Sequence, residues 1–305
     1  MATVLAGGSG PTKLLYTCDG ENWNPCENPD GLFSNGACMS ICTNGSIWVA
    51  GGSGKNILGY SLDGIHWKAL KGDSFETGTF LTIVWNGSYF LASGDDETPT
   101  PEEFFYVSLD GMEWKPRTEV GVPFDNSCNT LAHNGKLWVA GGNGTEHRLV
   151  YSLDGNAWTP SSSGNALFQL CRTVVFNGNM WVAGGVGTCS IAYSLDGMEW
   201  LPCDISHEVL AFCTSVAWSG AMWIAGGEGP NCLGYSMDGI CWAPIDTPLF
   251  TTSVVCVAWT GDRWLAGGGE MERVNLATST DGIQWSDAGI GGEGSCHAFG
   301  IKTSV

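Results

Sequence analysis

The stretch "YSLDGMEW" stands at residues 193–200 and "VSLDGMEWKP" at 107–116. Reading outward from these two gives seven copies: TCDGENW (17–23), SLDGIHW (61–67), SLDGMEW (108–114), SLDGNAW (152–158), SLDGMEW (194–200), SMDGICW (236–242) and STDGIQW (279–285). Their aspartates, Asp19, Asp63, Asp110, Asp154, Asp196, Asp238 and Asp281, follow one another at intervals of 42 to 47 residues. A period of that length is the mark of a propeller or a solenoid, and it governs every local reading.

Each unit reads as four strands. In residues 212–245, "FCTSVAW", "MWIAGG", "CLGYSM" and "ICWAPI" are rich in Trp, Tyr, Val and Ile and show no 3.6-residue period. Asn44-Gly45, Asn86-Gly87, Asn134-Gly135, Asn177-Gly178, Ser219-Gly220 or Thr260-Gly261 separates the first strand from the second. Asn-Gly predicts a type I′ hairpin turn, in which both central residues take φ > 0. The Asp-Gly of the repeated box makes the turn between strands three and four, with Asp accepting backbone N–H bonds and Gly in the left-handed position. The box Trp opens strand four and packs inward. The repeated letters are thus a turn clamp followed by a core anchor.

The chain begins inside a repeat, with "TVLAGG" as a second strand. It ends on "SCHAFGIK" (295–302), a first strand without a successor. The last strand is expected to complete the first blade, because a ring leaves no sheet edge open. The expected fold is all-β: one seven-bladed β-propeller over residues 1–305, with four antiparallel strands per blade. The blades are 295–302 with 2–26, then 37–70, 79–117, 127–160, 170–203, 212–245 and 254–288. The box resembles the Asp-box, or BNR, repeat Ser/Thr-x-Asp-x-Gly-x-Thr-Trp, here one residue shorter as Ser-x-Asp-Gly-x-x-Trp. The resemblance spans all seven repeats. It implies a propeller, and it implies that the seven aspartates are structural, since the box of that family lies away from its active sites.

Composition narrows the function. Acidic residues number 31 against 12 basic ones, a formal charge of −19. That charge repels nucleic acid and anionic membrane alike, so the expected partners include neither. The start, "MATVLAGGSG", lacks the basic and apolar regions of a secretory signal. Thirteen Cys without a CxxC pair fit free thiols in a reducing, intracellular compartment: cytoplasm, or a virus particle or host cytoplasm for a viral protein. The sequons Asn44-Gly45-Ser46 and Asn86-Gly87-Ser88 coincide with hairpin turns, so they need no sugar to explain them.

Strand parity places the 2→3 and 4→1 loops on one face, the top. These loops hold 20 of the 31 acidic residues. The densest is "GDDETPTPEE", with Asp95, Asp96, Glu97, Glu102 and Glu103, which reads as a surface for a cationic partner. Strand two ends in Ala-Gly-Gly in six of the seven repeats. Those glycines are expected to relieve crowding where blades converge; no helix follows them, which argues against a phosphate cradle. Strand one is expected to be innermost. Its first residues align as Cys38, Phe80, Cys128, Cys171, Cys213, Val254 and Cys296, read as packing rather than as a metal site. The next position reads Met39, Leu81, Asn129, Arg172, Thr214, Val255 and His297, which makes Asn129, Arg172 and His297 the polar candidates for a central pocket.

No catalytic residues, metal or cofactor are assigned. The family that the box resembles includes sialidases, but the chain has only five Arg and no Arg-Ile-Pro. It also lacks Gly-x-Ser-x-Gly and His-Glu-x-x-His. The expected function is a non-catalytic binding or scaffold module. Its partner is a protein, a basic one in particular, or a small ligand or glycan at the central top face. Two alternatives stand beside it. One is a glycan-directed enzyme, hydrolase or lyase, using top-face carboxylates. The other is a structural component of a larger assembly, viral or otherwise.

Overall fold

Each repeat folds into the four antiparallel strands that its β-branched and aromatic residues favour. The computed structural model describes residues 3–71, 75, 78–94, 105–117, 124–203, 206–269, 275–288 and 294–302. Two compact units share the chain, Met1–Glu119 with Gly292–Val305, and Val120–Gly291.

The first unit contains three four-stranded sheets. They are Cys296–Ile301, Val4–Gly8, Leu14–Thr17 and Asn24–Pro25; Cys38–Thr43, Trp48–Gly52, Leu58–Ser61 and Lys68–Ala69; and Phe80–Trp85, Phe90–Gly94, Phe105–Ser108 and Lys115–Pro116. As expected, the C-terminal strand completes the first sheet, with Val4 opposite Ile301 and Ala6 opposite Phe299. The Lys302 N–H donates to Thr3 O (3.0 Å) and the Ser9 N–H to Ser295 O (3.0 Å), extending the seam at both ends.

The second unit contains four such sets. They are Ser127–His133, Trp138–Asn143, Leu149–Ser152 and Thr159–Pro160; Phe168–Phe176, Trp181–Gly187, Ile191–Ser194 and Leu201–Pro202; Phe212–Trp218, Trp223–Glu228, Leu233–Ser236 and Ala243–Ile245; and Val254–Trp259, Trp264–Gly268, Leu276–Ser279 and Ser286–Asp287. The first two are not separate. Strand Phe168–Phe176 is long enough for Leu170 to pair with Asn143, joining them into one eight-stranded sheet. Two short helices, Ser162–Leu167 and Ser206–Val209, sit in the connections that leave these sheets.

The turns correct one expectation. Gly45, Gly87, Gly135, Gly178, Gly220 and Gly261 take φ between 89° and 108°, but the residue before each stays at negative φ. The turn is therefore not type I′. Asn134 Oδ1 instead accepts the N–H groups of Lys136 (2.9 Å) and Leu137 (2.7 Å), and Asn44, Asn86 and Asn177 do the same. A side chain that caps its own turn removes the need for a second left-handed residue. Ser219 substitutes with its hydroxyl, which accepts from Met222 N (3.0 Å), as Thr260 does from Arg263 N (3.1 Å).

The Asp box uses the same device. In residues 61–67, Asp63 Oδ1 accepts from Ile65 N (2.8 Å) and His66 N (2.9 Å), and Gly64 N donates to Ser61 Oγ (2.9 Å). The Trp67 indole N–H closes the turn on Gly64 O (3.2 Å). Trp67, Trp200 and Trp242 are buried as anchors; Trp23, Trp114, Trp158 and Trp285 are half-buried.

Neighbouring sheets within each unit meet through the constant letters. Strand two is buried along Val4–Gly8, Trp48–Gly52 and their equivalents. A Cβ on Gly141 would lie 2.5 Å from Cys171 Sγ, and one on Gly7 would lie 2.5 Å from Cys38 Sγ. The first glycine of Ala-Gly-Gly is thus required by the next sheet's first strand, which is the crowding anticipated. Hydroxyls add polar ties. Ile83 N donates to Ser40 Oγ (2.9 Å), Val174 N to Thr130 Oγ1 (3.2 Å) and Val257 N to Ser215 Oγ (3.1 Å).

Candidate functional site

The seven first strands share an irregularity that alternation alone does not reveal. Cys128 stands opposite Gly142 and Thr130 opposite Gly141, so Asn129 is the extra residue of a β-bulge. The same shift leaves Met39, Leu81, Arg172, Thr214, Val255 and His297 as extra residues in the other six sheets. A bulge turns the side chain of its extra residue away from the regular alternation and often lies beside a site. Every candidate taken from the second position of strand one is therefore a bulge residue.

The recurring cysteine belongs to this bulge. Cys38, Cys128, Cys171, Cys213 and Cys296 are buried, and each Sγ donates to the carbonyl two residues on, at 3.6 to 3.9 Å. A small, soft donor fits under the displaced backbone. Burial raises the Cys38, Cys171 and Cys213 thiols far above their ordinary range, which makes them poor nucleophiles. None of the thirteen cysteines forms a disulfide. Among the described residues no three His, Cys, Asp or Glu side chains come together as a metal site.

The polar bulge residues have partners. Asn129 Nδ2 donates to Cys171 O of the next sheet (3.1 Å), and its Oδ1 accepts from Ser127 Oγ (3.1 Å). Thr214 makes the equivalent tie between the following two sheets, donating to Val254 O (2.6 Å). Arg172 is different. One guanidinium nitrogen reaches Asn129 Oδ1 at 3.4 Å, and among the described residues no carboxylate lies within ion-pair distance of it. Burial lowers its pKa, as desolvation does for a cation. In the first unit His297 Nε2 lies 2.6 Å from Ser295 Oγ, which is 3.0 Å from Ser9 Oγ. The structure thus brings Asn129 and Arg172 together in one unit and ties His297 to serines in the other.

Of the acidic candidates, Asp95, Asp96, Glu97, Glu102 and Glu103 lie outside the described residues. Two acids of other top-face loops tie those loops to backbone elsewhere in the chain. Asp30 accepts from Ala69 N (3.0 Å) and Asp125 from Thr145 N (2.7 Å). The first unit also contains a cleft of 340 Å³ at which Lys13 lies. The Lys13 ammonium is already bonded to Ser9 O and Gly36 O.

No family model matches the chain, and no curated protein does. Solved structures do. The extracellular domain of a one-component system from B. thetaiotaomicron superposes with a TM-score of 0.62 at 14% identity, covering 84% of this chain and 34% of that one, so this chain spans only about a third of that protein's length. YCF48, solved bound to a D1 peptide, superposes at 0.60 with 18% identity over 87% of this chain and 90% of its own. A chain of a mitotic checkpoint complex gives 0.59 at 12% identity over 82% and 76%. The fold is that of a β-propeller. Its sheets are blades, and identities this low carry the fold alone. Within each propeller blade the bulge lies at the end where the 2→3 and 4→1 loops emerge, opposite the Asp box. No helix among the described residues is long and apolar enough to cross a membrane.

Proposed function

We propose that the chain forms a single closed seven-bladed propeller of the Asp-box type and acts as a non-catalytic binding module for a protein partner. The partner docks on the face that carries the bulges. The observation behind this reading is the pattern at the bulge. Seven equivalent backbone irregularities each present one side chain, and that side chain differs in every blade (Met39, Leu81, Asn129, Arg172, Thr214, Val255, His297). Around it, a cysteine precedes the bulge in five of the seven sheets, a hydroxyl residue follows it in five, and the facing glycine pair recurs in six. A largely repeated surround with a varied presented residue is what a recognition surface on a rigid scaffold requires. The peptide-bound state of YCF48 and the assembly in the checkpoint complex are properties of those proteins, and they support this use of the fold.

In this reading the acidic loops steer a basic partner toward the face, and Arg172 receives a carboxylate from it. Desolvation makes a bonded carboxylate worth more there than at the surface. Free thiols suit a module that works in a reducing compartment. The test is a binding screen of basic and neutral peptides at low and at physiological salt. Substituting Asp95, Asp96, Glu97, Glu102 and Glu103 by Asn or Gln should slow association about tenfold and leave the melting temperature alone. Arg172→Gln should speed dissociation instead. Affinity that ignores salt and both sets of substitutions would show that the acidic loops are only a solvated surface and that the bulges are only architecture.

A further inference from the structure

Seven large apolar side chains are strongly exposed among the described residues, and five occupy one repeat position. That position is the second residue of the Asp box: Leu62 (63% exposed), Leu109 (76%), Leu153 (75%), Leu195 (75%) and Met237 (63%). Single exposed leucines are ordinary on a protein surface. The same exposed leucine in blade after blade is not.

The turn does not require it. The hydrogen bonds of the box come from its Ser and Asp side chains and its backbone, as in Ser194 Oγ to Asp196 Oδ1 (3.1 Å) and Gly197 N to Ser194 Oγ (2.8 Å). The first and seventh boxes close with the same bonds around Cys18 and Thr280. Both residues are exposed too. The side chain at this position therefore contributes little to the fold, and folding gives no reason for its being apolar.

The second unit has three such turns in succession, at Leu153, Leu195 and Met237. Exposed Leu201 (56%) lies on the fourth strand next to the middle one. Each turn carries a carboxylate, Asp154, Asp196 or Asp238, and Glu199 adds another. Residues 152–160, 194–202 and 236–245 contain no Lys, Arg or His. The turns are thus apolar and anionic at once, and the hairpin beside Gly197 adds one exposed base, Lys136, which leaves the balance anionic. A second copy of this chain would bring its own −19 charge, and an anionic membrane would be repelled as well.

We infer that the Asp-box end of the second unit is a docking surface for a basic, amphipathic protein segment, with Leu153, Leu195 and Met237 as its apolar anchors. This surface is at the opposite end of the blades from the bulges, so it stands or falls separately from the function proposed above. The segment lays apolar residues on the anchors and Lys or Arg beside the carboxylates, as amphipathic helices do on grooves of matching character.

The probe is a fluorescein-labelled helical peptide of Leu and Lys, followed by anisotropy against the full chain. The variant is Leu153→Ser, Leu195→Ser and Met237→Ser together; because all three are exposed, its melting temperature should match the parent. It should bind the peptide about tenfold more weakly or worse. A lysine-only peptide of equal charge should bind the parent weakly and not distinguish it from the variant. The five-acid variant of the opposite face should bind the Leu–Lys peptide as the parent does. Equal affinity of parent and triple variant would overturn the inference. So would binding to phosphatidylcholine vesicles that the triple variant loses, which would make the leucines a membrane contact. Self-association in sedimentation that the triple variant abolishes would make them an interface between copies and overturn it equally.

Discussion

Asp196 shows what one box residue contributes. It accepts from Met198 N (2.8 Å), Glu199 N (2.9 Å) and Ser194 Oγ (3.1 Å). Burial pushes its pKa up, but those donors favour the charged form and hold it below the ordinary value. Asp196→Ala should cost about 1–2 kcal/mol in urea unfolding, the range for a side-chain cap. Asp196→Asn should cost less, because an amide oxygen still accepts. All seven box carboxyls are lowered in the same direction. A depressed folded pKa gives stability above the unfolded value and loses it as pH falls through the folded one. Stability should therefore drop below about pH 4. Relief of the −19 charge acts the other way, so the variant is compared with its parent at each pH. Asp196→Asn should flatten the acid slope; an identical slope would mean that this carboxylate does not contribute to it.

At the scale of the element, the close fit of strand two against the next blade makes a prediction about pairs. Gly141→Ala puts a methyl against Cys171 Sγ and Thr130 Cγ2, at 2.5 and 2.8 Å. Overpacking of that kind costs about 1–3 kcal/mol. Cys171→Ala removes the nearer atom, so the double variant should recover some of the loss in a mutant cycle. Strict additivity would mean that the two blades are not in contact there. This layer is half legible in the sequence. The boxes and glycines name the strands, the turn positions and the crowding, because each has a local chemical requirement that repeats. The bulge is not legible, because Cys128, Asn129 and Thr130 read as ordinary alternation until their partners Gly142 and Gly141 are known. The hairpin turns mislead for a related reason. Asn-Gly favours type I′ when the backbone closes alone, whereas here the Asn oxygen closes the turn. Arg172 and Asn129 stand out by alignment, but their contact, and the lack of an acid beside Arg172 among the described residues, are tertiary facts.

For the whole molecule, the first blade is assembled from both ends of the chain. Removing Cys296–Ile301 strips Val4–Gly8 of its edge-strand partner and exposes an unpaired edge. The melting temperature should fall by about 10 °C, which in a chain of this size corresponds to a loss of roughly 6 kcal/mol. A synthetic peptide of the missing strand should restore it; a truncated chain that melts within a degree or two of the parent would refute the role of the seam. The pairing of Val4 with Ile301 also sets a schedule for synthesis. Translation at about 5–20 residues per second leaves roughly 15–60 s between the emergence of these two strands. Throughout that interval the edge of Val4–Gly8 offers its N–H and C=O groups to any neighbouring nascent chain. The exposed edge therefore belongs to the ribosome-bound chain, before Cys296–Ile301 exists, and crowded polysomes are where it should need a chaperone.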